Sequence, residues 1–297
     1  MILITGANGQ TGRAIIGALL AKGERIRALV HKPEDIQAIK TLGNMEVIAG
    51  DMMHQKVVDK AYDGVNSVYH ICSALNPHEV EIGQIAIKAA RTTKVEHFVY
   101  HSVLHSVLAD MPHHQKKLMV EKLVVDSGIP YTIIQPAVFM QNILESWRSL
   151  SEEYIFRQKF FTNMETRMCM LDLDDLAEAV SIILTSTHHM GATYELCGAE
   201  NLSLPDMTTA MEQHFGGKIT VETPQDEIFA AQLKGRGVGD YRVNALLKMF
   251  QHYNEHGFIG NSNVLTWILG RKPNNFSSFI LRTIQAQNKE KRVKNEI

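Results

Sequence analysis

Met1-Ile2-Leu3-Ile4-Thr5-Gly6-Ala7-Asn8-Gly9-Gln10-Thr11-Gly12-Arg13 decides how the rest of the chain is read. A short apolar run with the character of a buried strand meets three glycines at intervals of three. An apolar-periodic helix over Thr11–Ala21 opens inside the same motif. In that setting Gly6 permits a tight turn, Gly9 lets backbone approach a phosphate, and Gly12 lets the helix pack on the sheet. The unpaired N–H groups and positive end of the helix then face a pyrophosphate. A glycine-rich loop without a ligand is the plainer alternative, and strand, spacing and helix together disfavour it. Asn8, Gln10, Thr11 and Arg13 complete the candidate dinucleotide-binding stretch.

Outward from this loop, two periods alternate. β-Branched runs at Arg25–His31, Met45–Ala49, Ser67–Ile71, His97–Ser102 and Tyr131–Gln135 are separated by amphipathic stretches at Pro33–Leu42, Lys56–Tyr62, Val80–Thr92 and His114–Ser127. The pattern predicts an α/β fold: a doubly wound parallel sheet of the Rossmann type, with ligands at the carboxyl ends of its strands. Gly128-Ile129-Pro130 ends a helix and restarts a strand, and Thr193–Cys197 reads as a further strand. Ser203 is an expected N-cap for Leu204–Phe215, with Pro205 in the first turn. Beyond residue 200 the spacing is mostly helical, notably at Asp240–Glu255 and Phe276–Gln287. The expected organisation is an NAD(P)-binding core over 1–135, a segment 136–200 that partly returns to it, and a smaller, mostly helical substrate-side region over 200–297.

The tip of the second strand discriminates between cofactors, because an acid there accepts from the ribose 2′-OH of NAD and repels a 2′-phosphate. This chain has no acid at that tip. His31 and Lys32 follow Val30 instead, and Arg13 can join them against a 2′-phosphate. NADP is therefore expected over NAD, although a solvated loop charge is the ordinary account of Lys32. Asp51 and Met52, after the third strand, are candidate adenine contacts. An N-cap for the next helix explains Asp51 equally well.

The G-x-x-G-x-x-G spacing resembles the short-chain dehydrogenase/reductase superfamily. Together with Ala28–His31, Gly50-Asp51, His97–Ser102, Lys117–Glu121, Gly128–Pro136, Asn142, Leu171–Ala179 and Leu269–Pro273, it is similar to the NmrA-like family of atypical members. That family includes NAD(P)-binding regulators and reductases of quinones and triphenylmethane dyes. The resemblance implies a catalytic helix with a Tyr-x-x-x-Lys pair. Here Lys117, marked by Glu121, fills the lysine position, and His113 stands where the tyrosine would be. Gln135 stands where related sequences often have arginine.

Spacing i, i+4 puts His113 and Lys117 on one helix face. A neutral histidine relays protons near physiological pH, and a neighbouring ammonium favours its neutral form. Alternatively, His113 merely opens a helix capped by Asp110. Ser102 matches the superfamily serine, with a capping or loop hydroxyl as its alternative. The resemblance further places Ser73 and Ala74 under the nicotinamide side of the cofactor and Phe139 and Asn142 in the substrate cleft.

The 14 histidines form no metal-like set with acids or cysteines, so no metal is expected, and His101 reads as a core residue alternating along a strand. Cys72, Cys169 and Cys197 lack disulfide or zinc spacing. A net charge of −2 gives no cationic field for nucleic acid or membrane, and no apolar window is long enough to span a bilayer. Residues 282–297 carry five Lys/Arg against two Glu and read as a frayed, solvated terminus. A cytoplasmic monomer or homodimer is the expectation. The function expected is an NAD(P)H-dependent reductase passing hydride to a small-molecule electron acceptor such as a quinone. A non-catalytic NADP(H) sensor that binds a partner protein is the alternative. A nucleotide-sugar epimerase is a weaker third, because its chemistry relies on the absent tyrosine.

Overall fold

β1 (Ile2–Ile4) is a fully buried strand that begins the alternation: α1 (Gln10–Ala21), β2 (Ile26–Val30), α2 (Asp35–Lys40), β3 (Glu46–Ala49), α3 (Gln55–Tyr62) and β4 (Ser67–His70). It continues through α4 (Glu79–Thr92), β5 (His97–His101), α5 (Pro112–Asp126) and β6 (Tyr131–Pro136). The computed structural model describes residues 1–159 and 162–295, with side chains as far as residue 289.

After β6 come β7 (Val138–Phe139), a 3-10 segment at Met140–Ser146, α6 (Trp147–Glu153), β8 (Ile155–Arg157), β9 (Met168–Leu171) and α7 (Leu173–Leu184). Then follow β10 (Ala192–Leu196), β11 (Asn201–Leu202), α8 (Leu204–Phe215) and β12 (Thr220–Glu222). The remaining helices are α9 (Asp226–Gly235), α10 (Asp240–His256), α11 (Asn263–Leu269) and α12 (Phe276–Asn295).

The main sheet has the order β10-β6-β5-β4-β1-β2-β3, and every pairing in it is parallel. Strand order reverses between β1 and β4, so the crevice for a ligand opens where the glycine loop leaves β1. This is the doubly wound Rossmann arrangement expected from the alternating periods. Apolar side chains cover the sheet on both faces. Ile4, Tyr69 and Val99 pack with α1 and α7, whereas Leu3, Val68, Phe98 and Tyr100 pack with α3, α4 and α5. The first of these clusters continues without a break into Phe250, Phe258, Phe276 and Phe279 of the later chain.

Two small sheets, β11-β9-β7 and β12-β8, carry the chain between the main sheet and the later helices. Ser203 caps α8 as its sequence predicts, in a capping box closed by Asp206. Two expectations differ. The N-cap of α5 is Met111, with Pro112 in the first turn, so Asp110 lies one residue outside the position assigned to it. The basic terminus is helical through Asn295, and Arg282 bonds to the buried Asp172 at 2.5 Å and to Asp174 at 3.2 Å. An ion pair reaching back to α7 therefore holds the start of this segment. The side chains beyond residue 289 lie outside the described residues. Among the described residues, no helix is long and apolar enough to cross a membrane.

Candidate functional site

The glycine loop is a backbone device. Thr5 pins it to the neighbouring strand: its Oγ1 donates to the Ile71 carbonyl (2.9 Å) and accepts from the Ile71 N–H (2.8 Å). Gly6 turns at φ +55°, where a side chain is strained. A Cβ at Gly12 would lie 2.5 Å from the Gly6 carbonyl oxygen and 2.8 Å from Ala7 Cα. What Gly12 permits is thus the approach of α1 to the loop's own backbone, closer to hand than the sheet packing its sequence suggests. Gly9 is the N-cap, no side chain caps the helix, and no acid lies in its first turn. The first N–H groups of α1 have no intrahelical partner. They form a donor cluster at the positive end of a helix dipole, which suits a pyrophosphate.

β2 pairs with β1 in the register Ile4↔Ala28, so the exposed His31 and Lys32 emerge beside this loop. Arg13 Nη1 donates to Asn8 Oδ1 and to the Ala38 carbonyl, both at 3.2 Å, and bridges the loop to α2. His31 and Lys32 are exposed at the end of β2, and Arg13 lies on α1 of the same loop region. Asp51 Oδ1 accepts from the Met53 N–H at 2.9 Å and closes a turn. The N-cap of α3 is His54, which overturns the capping alternative for Asp51. Asp51 and Met52 follow the end of β3 and are partly exposed. Ser73 and Ala74 are exposed in the loop after β4, where Ser73 Oγ accepts from Asn76 and the Ala74 carbonyl accepts from Arg242 of α10 (2.7 Å).

The catalytic-helix residues are more deeply engaged than their spacing suggests. Lys117 is 2 % exposed. Its ammonium lies 2.8 Å from Glu79 Oε1, donates to the His101 carbonyl at 2.7 Å, and sits 5.1 Å from the centre of the Tyr100 ring. Glu79, 1 % exposed, also accepts from the Tyr100 hydroxyl at 3.1 Å. Ser102 Oγ donates to Glu121, which accepts from Ser106 (3.0 Å) and Gln135 (2.8 Å) as well. The serine hydroxyl proton is therefore directed into the interior, although the residue lines the cleft. Gln135, in the position where arginine is frequent, is a neutral partner of the same buried carboxylate.

The two adjacent histidines separate cleanly. His114 is buried, with Nδ1 at the His105 carbonyl (3.0 Å) and Nε2 at the Tyr253 hydroxyl (3.2 Å), and burial lowers its pKa to about 4. His113 is half-buried and lines the cleft. Burial first, and then the Lys117 charge, hold its basicity well below the usual histidine range. The ammonium effect expected from the sequence is present and ranks second to desolvation.

Phe139 and Asn142 line the same cleft, a space of 1390 Å³ between the sheet's carboxyl edge and the later chain. Its far wall includes Phe229 of α9 and Met249 and Phe250 of α10. The neighbouring Gln141 holds the 3-10 segment in place, donating to Asp172 (2.8 Å) and accepting from the Leu173 N–H (3.1 Å). Arg271 bonds to Asp175 at 2.7 Å, which joins the Leu269–Pro273 motif to the Leu171–Ala179 motif behind the cleft.

The sequence does not mark His101 as a cleft residue, nor Phe229, Met249 and Phe250 of the far wall. Alternation along β5 described His101 as core, yet it lines the cleft, and its Nδ1 is hydrogen-bonded to the Tyr69 hydroxyl. No signal in the sequence pairs residues 69 and 101. Among the described residues, no group of three His, Cys, Asp or Glu side chains could hold a metal ion.

Comparison with known proteins identifies the family and the fold. The sequence model of the NmrA-like family matches residues 1–286. Quinone oxidoreductase 2 of Escherichia coli is 27% identical over 278 residues, covering 91% of this chain and 94% of that protein. The NAD(P)H azoreductase of Xenophilus azovorans is 24% identical, with 94% of this chain and 96% of that protein covered. Among solved structures, the E. coli NADPH-dependent quinone oxidoreductase complexed with NADPH superposes with a TM-score of 0.81 at 24% identity, over 96% of this chain and 100% of that one. The Citrobacter sp. triphenylmethane reductase complexed with NADP(H) gives 0.79 at 22% identity, over 95% and 99%.

Proposed function

Because this chain belongs to the NmrA-like family, we propose that it is an NAD(P)H-dependent reductase acting on a small planar electrophile of the quinone or azo class. One observation carries the reading. An uncapped helix N-terminus behind a glycine turn opens onto the same sheet edge as a cleft lined by aromatic side chains and two histidines. The backbone N–H groups of Gly9–Gly12 would hold the pyrophosphate. Arg13, His31 and Lys32 would meet a 2′-phosphate, which favours NADP over NAD. Asp51 and Met52 would border the adenine, and Ser73 and Ala74 the nicotinamide side, with the buried Lys117 acting beneath it rather than by direct contact. When bound, NADPH supplies the hydride.

Lys117 fixes the tip of β5 through the His101 carbonyl. His113 presents a neutral imidazole to the cleft, and Phe139 and Asn142 bound the substrate. A quinone needs no strong acid, because its reduced oxygen takes a proton from water. Loss of the superfamily tyrosine is therefore tolerable.

A dinucleotide-sensing regulator is the second reading. Its support is that the Lys117 ammonium and the Ser102 hydroxyl are both committed to carboxylates inside the protein. NADPH oxidation, followed with a panel of quinones, azo dyes and triphenylmethane dyes, separates the two. Saturable turnover is expected, whereas tight NADP(H) binding without turnover selects the regulator. Exchanging His31 and Lys32 for Asp and Ser should weaken NADPH binding by roughly tenfold or more while leaving NADH binding nearly unchanged. Equal losses for both cofactors overturn the NADP assignment.

A further inference from the structure

Tyr69 is fully buried, and burial raises its pKa well above the ordinary phenol value, so the hydroxyl keeps its proton. Among the described residues, its one hydrogen-bond partner is His101 Nδ1. Were Nδ1 to carry a proton, the phenol could accept it only by leaving its own O–H unsatisfied in the core. The phenol therefore donates, Nδ1 accepts, and the proton of the neutral ring resides on Nε2. Among the described residues, that atom has no partner. His101 is 8 % exposed and lines the cleft, and the sealed, partnerless ring nitrogens nearby belong to His70 instead. Phe139 lies on the cleft side, with ring centroids 6.4 Å apart.

We infer that His101, held in one tautomer by Tyr69, is a further catalytic residue that donates an Nε2–H hydrogen bond to the oxyanion formed on the substrate. This rests on the reductase reading above. A quinone that accepts a hydride, two electrons and one proton, becomes a hydroquinone monoanion and leaves NADP+ behind. His101 Nε2–H stabilises the new oxygen anion, and water gives the second proton to complete the hydroquinone. The ring does not transfer its own proton. Burial first, and then the Lys117 charge, hold it neutral, and a neutral imidazole is a fixed donor that needs no reorganisation as charge develops.

The test uses the full chain carrying ring-15N histidine. Long-range nitrogen–proton correlation spectra should show His101, assigned by its loss in H101L, as the Nε2–H tautomer. Tyr69→Phe should release it to a mixture. A His101 proton on Nδ1 in the wild type, or a spectrum unmoved in Y69F, overturns the inference. In turnover, H101L should lose about 10²-fold in kcat, the magnitude typical of one oxyanion donor, with KM and NADPH affinity within about twofold. Y69F should lose about tenfold, and H101Q, whose amide restores an N–H, should recover part of the H101L loss. Wild-type kcat in H101L on a quinone that the wild type reduces overturns the donor role. If the wild type reduces nothing in the panel, the reductase reading fails by itself, and the tautomer spectrum still decides whether His101 offers a donor.

Discussion

His70 and His101 stand at the ends of neighbouring strands, and the two faces of the sheet treat them in opposite ways. His70 lies between β4 and the helices α4 and α5, stacked 5.7 Å from Phe98 and 6.2 Å from Tyr100, with neither ring nitrogen bonded. His101 has one nitrogen held by Tyr69 and the other open to the cleft. Both are kept neutral, chiefly by burial and next by the same ammonium, Lys117. The difference teaches that a depressed basicity marks burial, and that a partner on one ring nitrogen with an opening at the other marks a site. The closed face is a stability problem, whereas the open face is chemistry.

The largest effect expected is on the closed face. Glu79→Ala removes the counter-ion of a fully buried ammonium, and stranding such a charge costs about 3–5 kcal/mol. Urea unfolding should show that loss. The double change of Glu79→Leu and Lys117→Met should recover much of it, because an apolar pair of similar volume has no charge to desolvate. An unchanged midpoint in E79A would mean that the closed face holds no dependent charge, and the contrast between the faces would collapse.

His70 gives the next effect and carries a sign. Its folded pKa is about 3, against 6.5 for the free side chain. Below pH 6.5 the unfolded chain takes up a proton that the folded chain refuses, so stability falls as pH falls from 6.5 towards 3. Above pH 6.5 this loss is absent. From His70 alone the loss by pH 5 is about 2 kcal/mol. His70→Phe should abolish that share of the acid sensitivity and keep the stacking on Phe98 and Tyr100. It should also leave quinone turnover intact, the reverse of H101L. Equal acid sensitivity in H70F and the wild type would show that His70 is not a sealed neutral ring.

How much of this was legible in the sequence follows from the range of each interaction. The glycine loop, the alternating periods and the capping residues are local patterns, and they located the strands of the main sheet and the cap at Ser203. Leu171–Ala179 and Leu269–Pro273 were recognised separately, but the Arg271–Asp175 contact that joins them spans 96 residues. His70 and His101 both end apolar runs on neighbouring strands, so the local pattern does not separate them. What distinguishes them is which neighbour sits across the sheet, and strand order, which sets that neighbour, is a tertiary fact. Lys117 was legible as a position but not in its state, because Glu79 is 38 residues away on another helix. Asp51 and Asp110 show the limit in the other direction. Both are residue types that cap helices, and each lies outside the turn that forms.

Ser102 carries the smallest expected effect and sharpens the contrast most finely, since it lines the open side but bonds inward. Ser102→Ala deletes one of three donors to Glu121. Ser106 and Gln135 remain, so the carboxylate is not orphaned, and the loss should be about 1 kcal/mol in unfolding free energy. Turnover should fall only modestly, because the hydroxyl proton is already committed to Glu121 and cannot also be offered to a substrate. A drop in kcat comparable to that of H101L, at unchanged unfolding midpoint, would instead place the hydroxyl at the substrate. Glu121 would then be its proton acceptor, and the open face would have two working groups.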